Sequence, residues 1–293
     1  MHSTVTADAA DLLSQWLDQR LDAQTASWLT ERVALLSRSN SDRDLHITLG
    51  MIPRKLGRAD LAPDENERQA ADNCRTGWDP RTWSIDTAAR VMVLCRLAEH
   101  NREEFGATIK ELCRTADVAE SIAMYAGFAV FPEDPALDTQ VGEGLRTNMR
   151  AVFESIAHYN PFPREHFDQN RWNHMVLKAL FVDSELHPIQ GLDERANAEL
   201  ATILCNYAHE RWAAKRPVTP ELWRCVGPFA DDSMLSDLER VITSPDETEQ
   251  QAGVLAASAS PAPAVSKLTQ LKPSLAAAVE SGQLTWNTLG ENT

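Results

Sequence analysis

Apolar residues recur along nearly the whole chain at spacings of three and four, and almost no stretch alternates with period two. Leu12, Leu13, Trp16, Leu17 and Leu21 predict a first helix started by Asp8 or Asp11. Trp28, Leu29, Val33 and Leu36 predict a second behind Asp22 as N-cap. Ser41 followed by Asp42 and Asp44 opens a third, which Pro53 and Gly57 close. Residues 64–75 start acidic and finish basic, as a helix dipole favours. After a turn dense in aromatics (77–83), Ser84 caps IDTAARVMVLCRLAEH, whose apolar residues cover most of the helix surface.

Residues 101–115 and 117–131 read as two more helices with very short links, and Asp134-Pro135 starts the next. Its continuation carries one apolar stripe (Leu145, Met149, Val152, Phe153, Ile156, Tyr159) opposite a charged ladder of Glu143, Arg146, Arg150 and Glu154. Residues 193–215 and 231–242 are helical, and Thr219-Pro220 caps a short one between them. Short links between antiparallel helices predict an all-α fold of stacked helix pairs, an α-solenoid or HEAT-like right-handed superhelix over residues 1–243. Residues 244–293 are rich in Ala, Ser, Pro and Gln at their start, which predicts a flexible low-complexity linker. A short amphipathic tail after Pro273 follows, with Leu284, Trp286 and Leu289 exposed unless it docks on its own chain or a partner.

The stretch 146–191 stands out. It holds His158, His166, His174 and His187 with Asn148, Asn160, Asn170 and Asn173, and it reads as two helices joined at Asn160–Pro163. MVLKALFV (175–182) is apolar on nearly every side, which predicts a helix at the centre of the fold. On a helix begun near Pro163, with His166 at zero, Asn170 falls near ~40°, Asn173 near about −20° and His174 near ~80°. These polar groups would share a core-facing stripe with Leu177, Leu180 and Phe181. The stripe is either a buried hydrogen-bond network or a small-molecule pocket. Lys178, the one charge within 175–182, either snorkels or pairs with an acid. Trp78 and Arg81, with Trp83, either hold a ring or an anion or seal the end of a helix hairpin. The candidate ligand-binding set is therefore Asn148, His158, Asn160, His166, Asn170, Asn173, His174, Lys178, Trp78 and Arg81. A metal site at His166, Asp168 and His174, helped by His158 or Glu165, is the weakest reading, because Asp168 points away from His166 on a helix and the three converge only through a non-helical first turn; no metal or other cofactor is expected.

The 293 residues carry a net charge of −15, which repels phosphate backbones and anionic membranes. Five cysteines, odd in number and never two residues apart, argue against a disulfide framework and a zinc knuckle, and Cys95 and Cys113 in their apolar helical contexts predict buried free thiols in a reducing compartment. The N-terminal segment lacks a signal-peptide pattern, and the most apolar window (118–131) is too short to span a bilayer. The expectation is a soluble cytoplasmic protein. There is no P-loop, no complete dinucleotide fingerprint, no GxSxG elbow and no second histidine for the HE pair at His209.

Five segments carry a family resemblance: LGMIPRKLGRADL (49–61), GWDPRTWSIDTAARVMVL (77–94), residues 145–182, residues 191–213 and PVTPELWRCVGPF (217–229). Over roughly residues 10–240 the chain resembles the EboA family. The resemblance implies a role in bacterial metabolite traffic, beside gene-cluster products that resemble a TatD-type hydrolase, a UbiA-type prenyltransferase and sugar-phosphate-processing enzymes. It implies partners among those products, and support for making or exporting a lipid-linked secondary-metabolite precursor. It assigns no catalytic residue. The expected function is thus a non-enzymatic adaptor or binder of a small hydrophobic metabolite. The alternative is an enzyme acting on a prenyl- or cyclitol-type intermediate through His166, His174 and Lys178.

Overall fold

The computed structural model describes residues 2–39 and 41–289. Met1 and the last residues of the expected tail, 290–293, lie outside them. Among the described residues there are seventeen α-helices, three short 3-10 turns and no strand. The chain divides into two compact units, Met1–His166 and Phe167–Thr293.

The first unit comprises α1 (His2–Arg20), α2 (Ala23–Leu36), α3 (Asp42–Leu56), α4 (Glu65–Cys74), α5 (Ile85–His100), α6 (Phe105–Thr115), α7 (Val118–Gly127), α8 (Pro135–Leu145), α9 (Arg150–Ala157) and α10 (Phe162–His166). Three of the predicted caps hold in this unit. Asp22, Ser41 and Ser84 accept from the first backbone amides of α2, α3 and α5. Asp64 with Glu67 and Asp117 with Glu120 form complete capping boxes on α4 and α7. The central helix is α5. Every residue from Ile85 to Cys95 is buried, and α1, α3 and α7 pack against it. Beyond it α7 packs on α9, and α6 on α8.

Two sequence expectations change here. The first helix starts at His2, ahead of Asp8. The single helix expected to run from residue 134 to 159 is two, because residues 146–149 break it and the Thr147 hydroxyl accepts the Met149 amide at 3.1 Å. The charged ladder survives as pairs inside the pieces: Glu143 with Arg146, and Arg150 with Glu154 at 2.6 Å.

The second unit comprises α11 (Gln169–Phe181), α12 (Ala198–Ala213), α13 (Leu222–Val226), α14 (Leu235–Ile242), α15 (Glu247–Ala259), α16 (Pro263–Ser266) and α17 (Pro273–Glu280). The expected central role of residues 175–182 is not realised. In α11 the buried side is Trp172, Asn173, Met175, Val176, Ala179 and Leu180, while Phe181 is 63% exposed. Helix α12 starts at Ala198 behind its Asn197 cap, five residues later than the expected start at residue 193.

The segment expected to be a flexible linker is the middle of this unit. Asp246 caps α15, Glu247 and Glu249 fill its first turn, and residues 251–257 are buried. Alanine is the best helix former, and its small side chain lets neighbouring helices approach closely. The composition that suggested disorder therefore builds a tightly packed helix. At Gly227 an added Cβ would lie 2.7 Å from the Cα and carbonyl oxygen of Ala256, so glycine is what this approach requires. α13, α14 and α17 pack on α15, and Leu284 is buried, so the tail docks on its own unit.

Candidate functional site

In the first unit the α7–α9 layer and the start of α5 line a cavity of about 330 Å³ that is open to solvent on one side. One wall is small and apolar: Ala119, Ile122 and Ala126 from α7, with Ala151 from α9. The other is polar: Ser84, Asp86 and Thr87 from the start of α5, Glu154, Ser155 and His158 from α9, and Arg58. The loop carrying Arg58 is held against the start of α5 by backbone bonds, Leu61 N to Trp83 O and Ile85 N to Ala59 O, both 2.8 Å.

The polar wall is built on a buried ion pair. Asp86 and Arg90 are each 2% exposed, one helical turn apart, with Arg90 Nη1 donating to Asp86 Oδ2 at 2.6 Å. Arg90 Nε also donates to Leu49 O at 3.3 Å, and Ser84 Oγ donates to the other Asp86 oxygen at 2.6 Å. Burial of such a pair is costly unless further hydrogen bonds support it, and these contacts engage both Asp86 oxygens and two of the Arg90 donors. Ser84 consequently has no free base beside it: the adjacent carboxylate is already committed to a guanidinium. Ser155 Oγ is likewise turned back onto Val152 O at 2.7 Å. The arrangement can hold a polar molecule against an apolar wall, with the Ser84 and Ser155 hydroxyls already engaged within the protein.

The far end of the cavity is fixed by strain. Tyr159, immediately after His158, has φ 52°, an outlier for a bulky residue. Its carbonyl accepts from Asp79 N at 3.3 Å, and the Arg81 guanidinium lies 4.6 Å over its ring. Arg81 is itself locked by Asp79, with Nε donating at 2.7 Å, and that bond holds its pKa above the usual guanidinium value. Arg81 thus clamps the backbone beside His158 and does not line the cavity. Trp78 is 1% exposed and packs on Trp16 and Trp83 at ring distances of 6.0 and 5.9 Å. It is buried among these rings and does not line the cavity, while Trp83 does.

The other candidates separate. Asn160 is buried and spends its amide on backbone: Nδ2 donates to Tyr125 O and Ser155 O, both at 3.3 Å, and Oδ1 accepts from Phe162 N at 3.0 Å. His166 stacks on Phe162, with rings 4.4 Å apart, and sits 3.9 Å from Glu133. Asn148 is exposed in the break between α8 and α9. In the second unit Asn173 is 1% exposed and pairs reciprocally with Asn197, at 2.9 and 3.3 Å. Asn170 and His174 are exposed and Lys178 is half-buried.

The predicted polar stripe is therefore not one face. Its phase was counted from His166, but the helix stops there and restarts after Asp168, whose carboxylate caps α11 by accepting Arg171 N at 2.7 Å. Of the ten candidates only His158 lines the cavity. Arg58, Ser84, Asp86 and Thr87 were missed. The available signal was Asp86 and Arg90 one turn apart inside an otherwise apolar helix, which marks a buried ion pair.

Among the described residues no group of three or more His, Cys, Asp or Glu side chains is placed to hold a metal ion, and no helix is long and apolar enough to cross a membrane. The five cysteines are free. Burial pushes Cys74 up to about 11, Cys113, Cys205 and Cys225 to about 12, and Cys95 higher still, so none is a thiolate near neutral pH.

Fold and site together define an all-helical protein with a small-molecule-sized cavity walled by alanines and a buried ion pair. A family model described as metabolite traffic protein EboA matches residues 9–227, and the chain belongs to the EboA family. The cavity and its clamp lie wholly inside that match, and α14 to α17 lie beyond it. No curated protein and no solved structure matches the chain.

Proposed function

We propose that this chain is a non-enzymatic binding protein in metabolite traffic and that the cavity of its first unit holds a small metabolite. The observation that carries this reading is the lining: an alanine and isoleucine wall facing hydroxyls, carboxylates, an imidazole and Arg58, in a space within the usual range of small-molecule sites, about 300–1,000 Å³. Arg58 is exposed and has no ion-pair partner among the described residues, so it can take up an anionic or carbonyl group of a ligand. The locked state of Asp86 and Ser84 favours holding over reacting.

The other parts of the reading follow from it. An acidic, all-helical binder that hands its cargo on would dock with products of the same gene cluster, the prenyltransferase-like and TatD-like proteins. It would do so in the cytoplasm, supporting synthesis or export of a secondary-metabolite precursor. Successive packing of α5, α7 and α9 supports stacked antiparallel pairs in the first unit, and the HEAT-like right-handed superhelix belongs to the same proposal.

The test is thermal. A ligand present at 100 times its Kd stabilises the folded state by roughly 2.7 kcal/mol, enough to raise Tm by several degrees. Small-molecule extract fractions should raise the Tm of the full chain, and Ala119→Trp with Ala151→Trp, which fill the cavity, should abolish the shift. A shift that survives in a folded double variant places the ligand elsewhere and refutes the cavity.

A further inference from the structure

The second unit carries a larger and opposite kind of concavity. A groove of about 600 Å³ is bounded by Trp212 and Trp223, by Lys215 and Arg216 from the turn after α12, by Arg240 at the end of α14, and by Glu249 of α15. Among the described residues Lys215, Arg216 and Arg240 have no acidic partner. On a chain with a net charge of −15 three unmatched cations around one groove stand against the general trend. The cationic side is also rigid. The Arg240 guanidinium lies 4.2 Å over the Trp212 ring, and Trp212 stacks on buried Trp223 at 5.8 Å and 21°. Lys215 has φ 55°, in the left-handed position where helices usually end on glycine. The chain thus tolerates backbone strain with a lysine at that position.

We propose that this groove binds a small organic phosphate, a phosphomonoester attached to an apolar or aromatic body. Three cations against the single carboxylate of Glu249 leave two positive charges. That matches a phosphomonoester, which carries about −1.5 to −2 near neutral pH, better than it matches a monoanionic carboxylate. Two guanidiniums supply planar donor forks suited to phosphate oxygens, and the ammonium adds a point charge. The edge of Trp212, with Pro217 and Pro245, offers surface for the body of the ligand. This site is separate from the cavity of the first unit and does not depend on it.

Phenyl phosphate is the probe, titrated calorimetrically into the full chain, with benzoate and inorganic phosphate as comparison ligands. Phenyl phosphate should bind about tenfold or more tighter than benzoate, with affinity falling as salt rises. Arg216→Gln with Arg240→Gln should weaken it at least about tenfold, the scale of a lost charge-assisted hydrogen bond. Lys215→Gly guards against a folding artefact. It removes a cation and relieves the backbone strain, so Tm should hold or rise while phenyl phosphate affinity falls. Ala119→Trp in the first unit should leave the binding unchanged. No measurable phenyl phosphate binding, equal binding of benzoate, or binding indifferent to all three cation substitutions would overturn the proposal.

Discussion

The two concavities start from the same plan and end with opposite electrostatics. Each draws residues from the first turn of its unit's central helix: Ser84, Asp86 and Thr87 at the start of α5, and Glu249 at the start of α15. In the first unit the central pair, Asp86 with Arg90, is buried and matched, and Glu154 is matched by Arg150 nearer the surface, with Arg58 left without an ion-pair partner among the described residues. In the second they are exposed and unmatched. A matched, buried charge shapes a cavity and resists change. An unmatched, exposed charge costs the fold little and remains available to a ligand. Stability should therefore be sensitive to the first set and indifferent to the second.

Breaking the buried pair is the most severe test of that contrast. Asp86→Ala strands Arg90 without its carboxylate and should cost about 3–5 kcal/mol in urea unfolding. Arg240→Gln should change stability by less than about 0.5 kcal/mol in the same assay. Comparable losses in both variants would erase the distinction.

Gly227→Ala probes whether α15 is as tightly built into its unit as α5. The new methyl would meet the Ala256 backbone, and overpacking of this kind should lower the unfolding free energy by about 1–3 kcal/mol. A neutral result would mean that α15 packs loosely against the 227–229 turn. Asn160→Ala should cost about 1–3 kcal/mol, because it leaves Phe162 N and two carbonyls short of a partner. His174→Ala, on the exposed side of α11, should lie within about 0.5 kcal/mol of the parent protein.

The smallest effect concerns acid stability. The Arg20 side chain holds the Glu67 carboxyl below its ordinary value, Arg20 donating to both Glu67 oxygens at 2.8 and 2.5 Å. That contribution is fully present above the ordinary carboxylate range and is lost as pH falls through the lowered folded value. Arg20→Gln should remove up to about 1 kcal/mol at neutral pH and flatten the acid side of the stability profile. An unchanged acid slope would show that the bond contributes nothing.

The helices and their starts were legible in the sequence because caps are local: Asp22, Ser41, Asp64, Ser84 and Asp117 each declare a start within four residues. Which helix is central was less so. MVLKALFV looks greasier than the start of α5, yet α5 is buried on all sides because Ala88, Ala89 and the Asp86–Arg90 pair let α1, α3 and α7 approach it. A buried ion pair reads as polarity in one dimension and becomes core only when its partners are placed. The α15 segment failed for a related reason, since small side chains signal either looseness or close packing. The site was mostly illegible. Its residues come from loops, a cap and three helices far apart in sequence, and the two-residue break at Phe167 and Asp168 destroys the phase that would unite His166 with His174.

The central claim is that the α5–α7–α9 cavity holds a small molecule. The most direct measurement is mass spectrometry of the small molecules released on denaturing the full chain purified under mild conditions, beside the Ala119→Trp, Ala151→Trp variant purified identically. The account predicts one compound released in near-stoichiometric amount by the parent and absent from the folded variant. The same compound at equal occupancy in both proteins, or nothing released by the parent, would contradict it.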